Sequence, residues 1–516
     1  MKVRIRILTA LVLGFAAYAS TPVRSLAQEI SPEHHHYILK DLGTLGGPTS
    51  LLFGLTGPIN NKGTVASCAD TATPNPNFAN GSPYITPDPY ASHGVYSQNG
   101  VFVDLGVLPG GSNSCTQWIN SQGWVAGGSE NGQFDPFTGY PQVRAVLWKN
   151  GKIRDLGTLG GTESVAYGIN DAGDVVGFAS NTIPDSLTGY MYAFGATQTH
   201  AFLWKEGVIR DLGTLGGPDS IAFNVNERGQ IAGNSFTSFA GNSLSPIPVA
   251  APFLWENGKM INLGGLGGTY TAENDLNNRG QVVGFSFITG NLAFHPFLWS
   301  EGKLSDLGTF GGSYGEAIWL NDSGDVVGWA ELPIPCPGCG ELGDEVYHAA
   351  LWKHGNMIDL GPVEGDRCSV ADDINSQGQV VGGSGICFGA VNAFLWEENG
   401  PAVDLNALVA SGSTLHLQEA ISINDRGEIT GNGVLPDGDI HTFLLIPCDS
   451  DHPAMEGCNY NLVSETTVAA QIRPAQIMQT LAATPAELSP PEVSSPLGSF
   501  TGGRNRRHKF GALRPK

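Results

Sequence analysis

An all-β fold, assembled from one four-stranded unit repeated down the chain, is what this sequence predicts, and three observations predict it. One pattern keeps returning. RAVLWKNGKIRDLGTLGG at 144–161 comes back as HAFLWKEGVIRDLGTLGG at 200–217, HPFLWSEGKLSDLGTFGG at 295–312 and HAALWKHGNMIDLGPVEG at 348–365. Glycine makes up 71 of 516 residues and charged side chains only 14%, which suits short strands and many turns and suits long helices badly. Each copy also carries two hairpin signals in fixed order. Four strands per ~40–50 residues, repeated many times, is the signature of a β-propeller.

The first hairpin is read from an Asn with Gly three residues on, as at Asn120/Gly123, Asn170/Gly173 and Asn226/Gly229. That spacing suits a type I turn in which the Gly takes positive φ. In the copy at 164–179, SVAYGI precedes the turn and DVVGFA follows it. They are strands a and b. The second hairpin lies inside HAFLWKEGVIRDLG, where alternating side chains run into Glu206–Gly207 and out again. Those are strands c and d. The DLG signal recurs from Asp41 to Asp404 with a period of about 52 residues.

The ends fix the count. The chain opens with a lone d-type strand, YILKDLG (37–43), runs through seven complete a-b-c-d units, and stops after a, b and c of an eighth, at HTFLLIP (441–447). Pairing the N-terminal strand with the three C-terminal strands makes one more blade and leaves few bare edges. The expectation is eight blades over 37–447. Seven is the alternative, should the degenerate first unit form no full blade.

HAFLW, DLGTLGG and the IN-x-x-G-x-V-V-G stretch together resemble the HAF repeat family of probable extracellular bacterial repeat proteins. The resemblance covers about 37–447 and implies an exported repeat protein without an assigned biochemical role. The first copy departs from the pattern at Ser97 and Ser67, and the last carries Leu445 where most units have Trp.

Outside the repeats, residues 1–27 read as a secretory signal. Lys2, Arg4 and Arg6 precede the short apolar run 7–19, and small-residue cleavage sites follow Ala19 and Ala27. The run falls short of the ~18–20 residues a membrane span needs, and no later segment is apolar enough for one. Residues 28–36 form a short leader. The Ala/Pro/Ser-rich 448–516, ending in RNRRHKFGALRPK, reads as a disordered tail with a basic end. Secretion to the extracellular space or periplasm is expected, with association to the cell surface through that end as a further option.

Eight cysteines suit that compartment: Cys68, Cys115, Cys336, Cys339, Cys368, Cys387, Cys448 and Cys458. An even count in an exported chain favours disulfides. Cys448 with Cys458, and Cys368 with Cys387, are within local reach. The CPGC at 336–339 lacks both a second ligand pair for zinc and a βαβ setting for redox work, so a structural disulfide is the reading.

The repeated residues themselves read as structure. No helix pattern follows DLGTLGG, so no helix N-terminus is available to hold a phosphate. Asp155 and its equivalents are expected to bond the backbone of the next turn. His93, His200, His295, His348 and His441 open strand c and are expected to bond backbone. Trp148, Trp204, Trp255, Trp299, Trp352 and Trp396 are expected to fill the gaps between blades. No catalytic motif, metal site or cofactor motif is present. A net charge of −22 argues against nucleic acid as a partner.

Function is therefore expected in the connections that vary. The a–b and c–d turns are tight and uniform, whereas the b–c segments at 71–90, 130–142, 181–199, 236–249 and 332–347 differ in length and content. They hold Phe78, Tyr84, Tyr90, Phe134, Phe137, Tyr140, Tyr190, Tyr192 and Phe194 among small polar residues, a composition that binding surfaces use. The leading expectation is a non-enzymatic scaffold that binds a protein or glycan there. The alternatives are a hydrolase or lyase acting on polysaccharide or peptide through unrepeated acids such as Asp135, Asp185 or Glu331, and a purely structural envelope protein.

Overall fold

The structure is a computed structural model that describes residues 33–464 apart from 54–56, 79–88, 99, 186–196, 239–247, 337–344, 388, 399, 411 and 454. The repeat folds as its periodicity dictates. In the unit that opens at Ser164, strand a is Ser164–Ile169, b is Val175–Pro184, c is Thr197–Lys205 and d is Val208–Asp211. They pair antiparallel in the order a-b-c-d. Among the described residues, eight such four-stranded units follow one another; two of them are joined by one parallel bridge between Ala250 and Tyr270. Among the described residues helix is nearly absent, the 3-10 turn Leu405–Ala407 being an instance.

The degenerate first copy forms a full unit from Gly46–Leu51, Ala66–Pro74, Tyr90–Gln98 and Val101–Asp104. The last unit borrows its d strand from the other end of the chain. Tyr37–Asp41 runs antiparallel to Ile440–Pro447, in register from Tyr37 opposite Pro447 to Asp41 opposite Phe443. This cyclic succession of a-b-c-d sheets is a β-propeller.

Both turn types have the expected chemistry. The i+3 glycines take positive φ, for example +79° at Gly123 and +83° at Gly173. In the c–d turns both central residues do so, Glu206 at +51° and Gly207 at +92°, which is the type I′ geometry that matches strand twist.

The turn asparagine does more than turn the chain. Asn170 Oδ1 accepts the N–H of Asp174 at 3.0 Å, while its Nδ2 donates to the carbonyl of Asn226 in the next unit at 3.1 Å. The same link runs from Asn60 to Asn120, Asn120 to Asn170, Asn226 to Asn277, Asn277 to Asn321, Asn321 to Asn375 and Asn375 to Asn424. Asn424 then donates to the carbonyl of Asn60 at 3.0 Å, so the chain of bonds returns to its start.

Close to this ring, strand a slips register by one residue in successive units, as between Thr116 and Trp118 or Ala317 and Trp319. A bulge re-aims the side chain next to it. Trp118 and Trp319, four units apart, stack with centroids 5.8 Å apart and planes at 19°.

The core lies between neighbouring sheets. Trp204 is buried with Leu147 and Leu156 of the preceding unit, and Trp396 with Leu351 and Leu360 of its own predecessor. The Phe of the FLW motif is fully buried at Phe202, Phe253, Phe297 and Phe394. Each such side chain contributes roughly 1.5–3 kcal/mol on removal from water. The paired glycines after DLGTL serve two needs. Gly160 sits at φ +108°, and a Cβ on Gly161 would lie 2.3 Å from Ser180 Oγ.

Two expectations are corrected. The strand-c histidines bond a carboxylate and not the backbone. Nδ1 of His93, His200, His295, His348 and His441 lies 2.9–3.0 Å from Asp104, Asp211, Asp306, Asp359 and Asp41 respectively. Strand pairing sets these partners together, since His200 lies two residues from Phe202 and Phe202 faces Asp211. Each of those aspartates also accepts the backbone N–H two residues on, as expected; Gly213 donates to Asp211 at 2.7 Å. The second correction concerns the boundary at 447. The described residues between 448 and 464 belong to the fold: Cys448 is bonded to Cys458, and Val463–Ser464 pairs with Glu33–His34.

Candidate functional site

The b–c connections and the d–a loops share one face, opposite the tight turns. Its geometry is built by two consecutive residues at the start of strand a. Ser164 Oγ accepts the N–H of Ala145 in the preceding unit and donates to the carbonyl of Gly157. Ser114, Ser220 and Ser369 repeat this role. The residue before the serine differs from unit to unit and clips the start of the preceding strand c. Asn113 accepts from Ser92, Glu163 from Val143 and Asp219 from Thr199, at 2.8–3.0 Å.

Around Asn113 the first two b–c connections are locked together. Buried Glu130 accepts from Asn113 at 2.9 Å, from Asn77 at 3.2 Å and from the N–H of Ser112 at 3.1 Å. Asn113 also reaches Asn75 Oδ1 at 3.3 Å. In the second connection, Asp135 Oδ1 takes the N–H groups of Phe137 and Thr138, and its Oδ2 takes the hydroxyl of Thr162 from the d–a loop. This polar scaffold presents Phe78, Tyr90, Phe134, Phe137 and Tyr140 to solvent, with Phe137 70% exposed. Five of the nine expected aromatics thus lie on two adjacent, cross-linked connections. Tyr84, Tyr190, Tyr192 and Phe194 lie outside the described residues.

The three acids named from sequence do not share a site. Their partners lie in their own or the next unit. Burial opposes ionisation of Asp135, but the hydrogen bonds from Thr162, Thr138 and Phe137 outweigh it and hold the carboxyl below its usual range. That makes it a structural anion and not a proton donor. Asp185 sits beside the fully buried Asp219, whose carboxyl is pushed up to about 8 by burial, with the charge of Asp185 adding to it. Glu331 is pushed up to about 8 by burial and then by Glu345. The N–H of Ser313 lies 3.2 Å from Glu331 Oε2 and 3.3 Å from Glu345 Oε2, which places the two carboxyls side by side. Burial likewise pushes Glu163 up to about 8. Each of these protonatable groups also accepts backbone N–H groups, which ties it to the scaffold. Among the described residues no three His, Cys, Asp or Glu side chains converge to hold a metal.

Sequence reasoning missed Glu130, Glu163 and Asp219. A signal was present: a polar residue stands directly before the strand-a serine in Asn113–Ser114, Glu163–Ser164 and Asp219–Ser220.

Two disulfides brace the same face. Cys68 in strand b of the first unit is joined to Cys115 in strand a of the second, and Cys368 to Cys387. Cys336 is also disulfide-bonded, its partner lying outside the described residues, and its Sγ is 3.9 Å from that of Cys387.

The chain matches no family model and no curated protein. Among solved structures it is similar to the β-propeller domain of the Trilobed protease from Pyrococcus furiosus, with a TM-score of 0.37 and 10% identity over 72% of this chain and 96% of that one. It is similar also to Pyrococcus horikoshii acylaminoacyl peptidase, with a TM-score of 0.35 and 11% identity over 74% of this chain and 58% of that one. Likeness at this level carries no argument about what the present chain does. No helix among the described residues is long and apolar enough to cross a membrane.

Proposed function

We propose that this is an exported propeller that works as a binding scaffold and holds a protein or glycan ligand on its loop face. The signal-like 1–27 and the disulfides support export, and the repeat that resembles the HAF family fits it. The observation that carries the binding reading is the cross-linking of the first two b–c connections through Glu130, Asn113 and Asp135, with Phe134, Phe137 and Tyr140 left outside. Exposed aromatics on a pre-ordered backbone lose little freedom when a ligand covers them.

The test is a glycan array and a pull-down with the full chain against a Phe134→Ser/Phe137→Ser variant. A loss of tenfold or more in affinity, with an unchanged unfolding midpoint, is the expected result. Equal binding by the variant would remove these residues from the site. A form shortened within 181–199 gauges the third connection in the same assay. The hydrolase reading rests on Glu331 and Asp219, whose carboxyls are protonated near neutrality. Turnover of polysaccharide or peptide that disappears in Glu331→Gln or Asp219→Asn would favour it over the scaffold.

A further inference from the structure

Three neighbouring junctions on the loop face use the same clip, in which the residue before the strand-a serine reaches back to strand c of the preceding unit. They differ in what stands beside it. At Asn113 the neighbour is Glu130, and the amide supplies the donor that the carboxylate accepts, at 2.9 Å. At Glu163 the neighbour is Asp135, whose oxygens are taken by Thr162, Thr138 and the N–H of Phe137. At Asp219 the neighbour is Asp185, a second carboxyl, and neither supplies a donor to the other when both are ionised.

Strand pairing creates this third junction. Pro184, at the end of strand b, stands opposite Thr197, two residues before Thr199. Asp219 Oδ1 accepts the N–H of Thr199 at 2.8 Å. Asp185, next after Pro184, therefore comes beside Asp219, close enough for one proton to bridge the two carboxyls. Asp219 is fully buried. Among the described residues no donor reaches its Oδ2 or the Oδ2 of Asp185. The flanking strands Val175–Pro184, Thr197–Lys205, Ser220–Val225 and Ile231–Phe236 carry His200 and Lys205 as their charged side chains. Both are committed elsewhere, His200 to Asp211 and Lys205 to Asp174. Buried carboxylates facing one another without a donor are costly, so the pair needs positive charge between its oxygens.

We propose that Asp185 and Asp219 form a binding site for a divalent cation of the calcium type, which ties the stem of the third b–c connection to the fourth unit. The donors are all oxygen, which suits a hard cation and suits zinc or copper badly. Two carboxylates, not three, give part of the ~6–8 oxygens that calcium takes. Asp185 is only partly buried, so solvent can complete the shell. Calcium accepts such an irregular shell, whereas magnesium demands a near-ideal octahedron. Extracellular calcium modules bind at ~0.1–1 mM, and that range is expected here. The cation competes with a proton. Burial, with the charge of Asp185 adding to it, lets Asp219 keep its proton up to about 8. Calcium must displace that proton at lower pH, so affinity should rise about tenfold per pH unit up to there. The site stands independently of the scaffold reading above.

The experiment is calorimetric titration of the full chain with calcium chloride, and separately with magnesium chloride, at pH 6, 7 and 8. Asp185→Asn and Asp219→Asn are the variants. Unit two already carries Asn113 at the second position, so the clip to strand c should survive there, and the unfolding midpoint without calcium checks it. One saturable calcium site is expected, preferred over magnesium, strengthening with pH, and weakened at least tenfold in either variant. Calcium should raise the unfolding midpoint of the parent and leave that of both variants unmoved. Glu331→Gln, which alters the other carboxyl pair, should bind as the parent does. Absence of saturable binding, equal affinity in both aspartate variants, loss only in Glu331→Gln, or affinity that ignores pH overturns the proposal and leaves the pair with a shared proton alone. Phe134→Ser/Phe137→Ser should keep full calcium affinity, so failure of the ligand reading and failure of the cation site are told apart.

Discussion

The tight-turn face and the loop face solve the same problem, joining eight sheets, in opposite ways. On the tight-turn face one asparagine per unit makes the same bonds each time, and the ring it forms tolerates no substitute within this chain: every unit keeps Asn. On the loop face the joining residue is Asn113, Glu163 or Asp219 in different units, and each brings its own partners. Even where the tight face does vary, it varies in pairs. Asp174 meets Lys205 at 2.8 Å and Asp325 meets Lys353 at 3.2 Å, whereas Gln230 meets Glu256 and Gln379 meets Glu397. In unit two, Lys149 lies over Trp124. Variation compensated within a unit preserves architecture. Variation left uncompensated, as in the exposed Phe134 and Phe137, is what a binding surface needs.

The comparison breaks if the shared core is not what stabilises both faces. Phe202→Ala empties a fully buried site between sheets and should cost about 3–5 kcal/mol, read from the denaturant midpoint with disulfides intact. Next in size is Asn424→Ala. It removes the donor to Asn60 and the acceptor for the N–H groups of Arg426 and Glu428. Leaving buried backbone groups unpaired should cost about 2–4 kcal/mol. A cost near that of a surface substitution would mean the asparagine ring decorates the fold and does not hold it.

The loop face should respond to pH in a way the asparagine ring does not. Glu331 carries a folded value of about 8, raised above the free carboxyl. The native state thus holds a proton that the unfolded chain has released, and stability falls as pH rises from the ordinary carboxyl range through about 8. Glu331→Gln should remove its share of that slope, leaving those of Glu163 and Asp219, and stabilise the protein at pH 8 by roughly 1–2 kcal/mol after allowance for solvent screening. A variant less stable than the parent at that pH would show that Glu331 is held ionised.

Much of the architecture was legible because it is written many times. The turn asparagines, the positive-φ glycines and the FLW residues recur at fixed offsets, and period-two and turn chemistry assign them directly. What the repeat did not reveal is how one unit touches the next. The side-chain amide of Asn170 looks the same in sequence whether it caps its own turn or bonds Asn226. His200 and Asp211 are eleven residues apart, and only the c–d register brings them face to face. The stacking of Trp118 on Trp319 depends on ring geometry and has no local signal at all. For the candidate site, exposure of Phe134, Phe137 and Tyr140 followed from their unrepeated, polar surroundings. The fate of Asp135 did not, since Thr162 comes from a different connection.

The smallest expected effect concerns the one His–Asp pair that is also a seam. His441 and Asp41 come from opposite ends of the chain, 2.9 Å apart, on the strands that complete the last unit. The hydrogen bond from Asp41 raises His441 above the usual imidazole range, against the opposing effect of burial. Burial works against ionisation of Asp41, but the His441 hydrogen bond, the Gly43 N–H and the imidazolium charge hold it below the usual range. The raised histidine contributes fully below its unfolded value and fades as pH climbs through its folded one. The lowered aspartate contributes above its unfolded value and fades as pH drops through its folded one. The pair is therefore worth most in the acidic window between the two. Partial exposure limits it to under ~1 kcal/mol. His441→Gln should lower the unfolding midpoint slightly near pH 5 and leave it unchanged at pH 9. Equal effects at both values would show that the imidazole acts at the seam as a neutral hydrogen-bond donor.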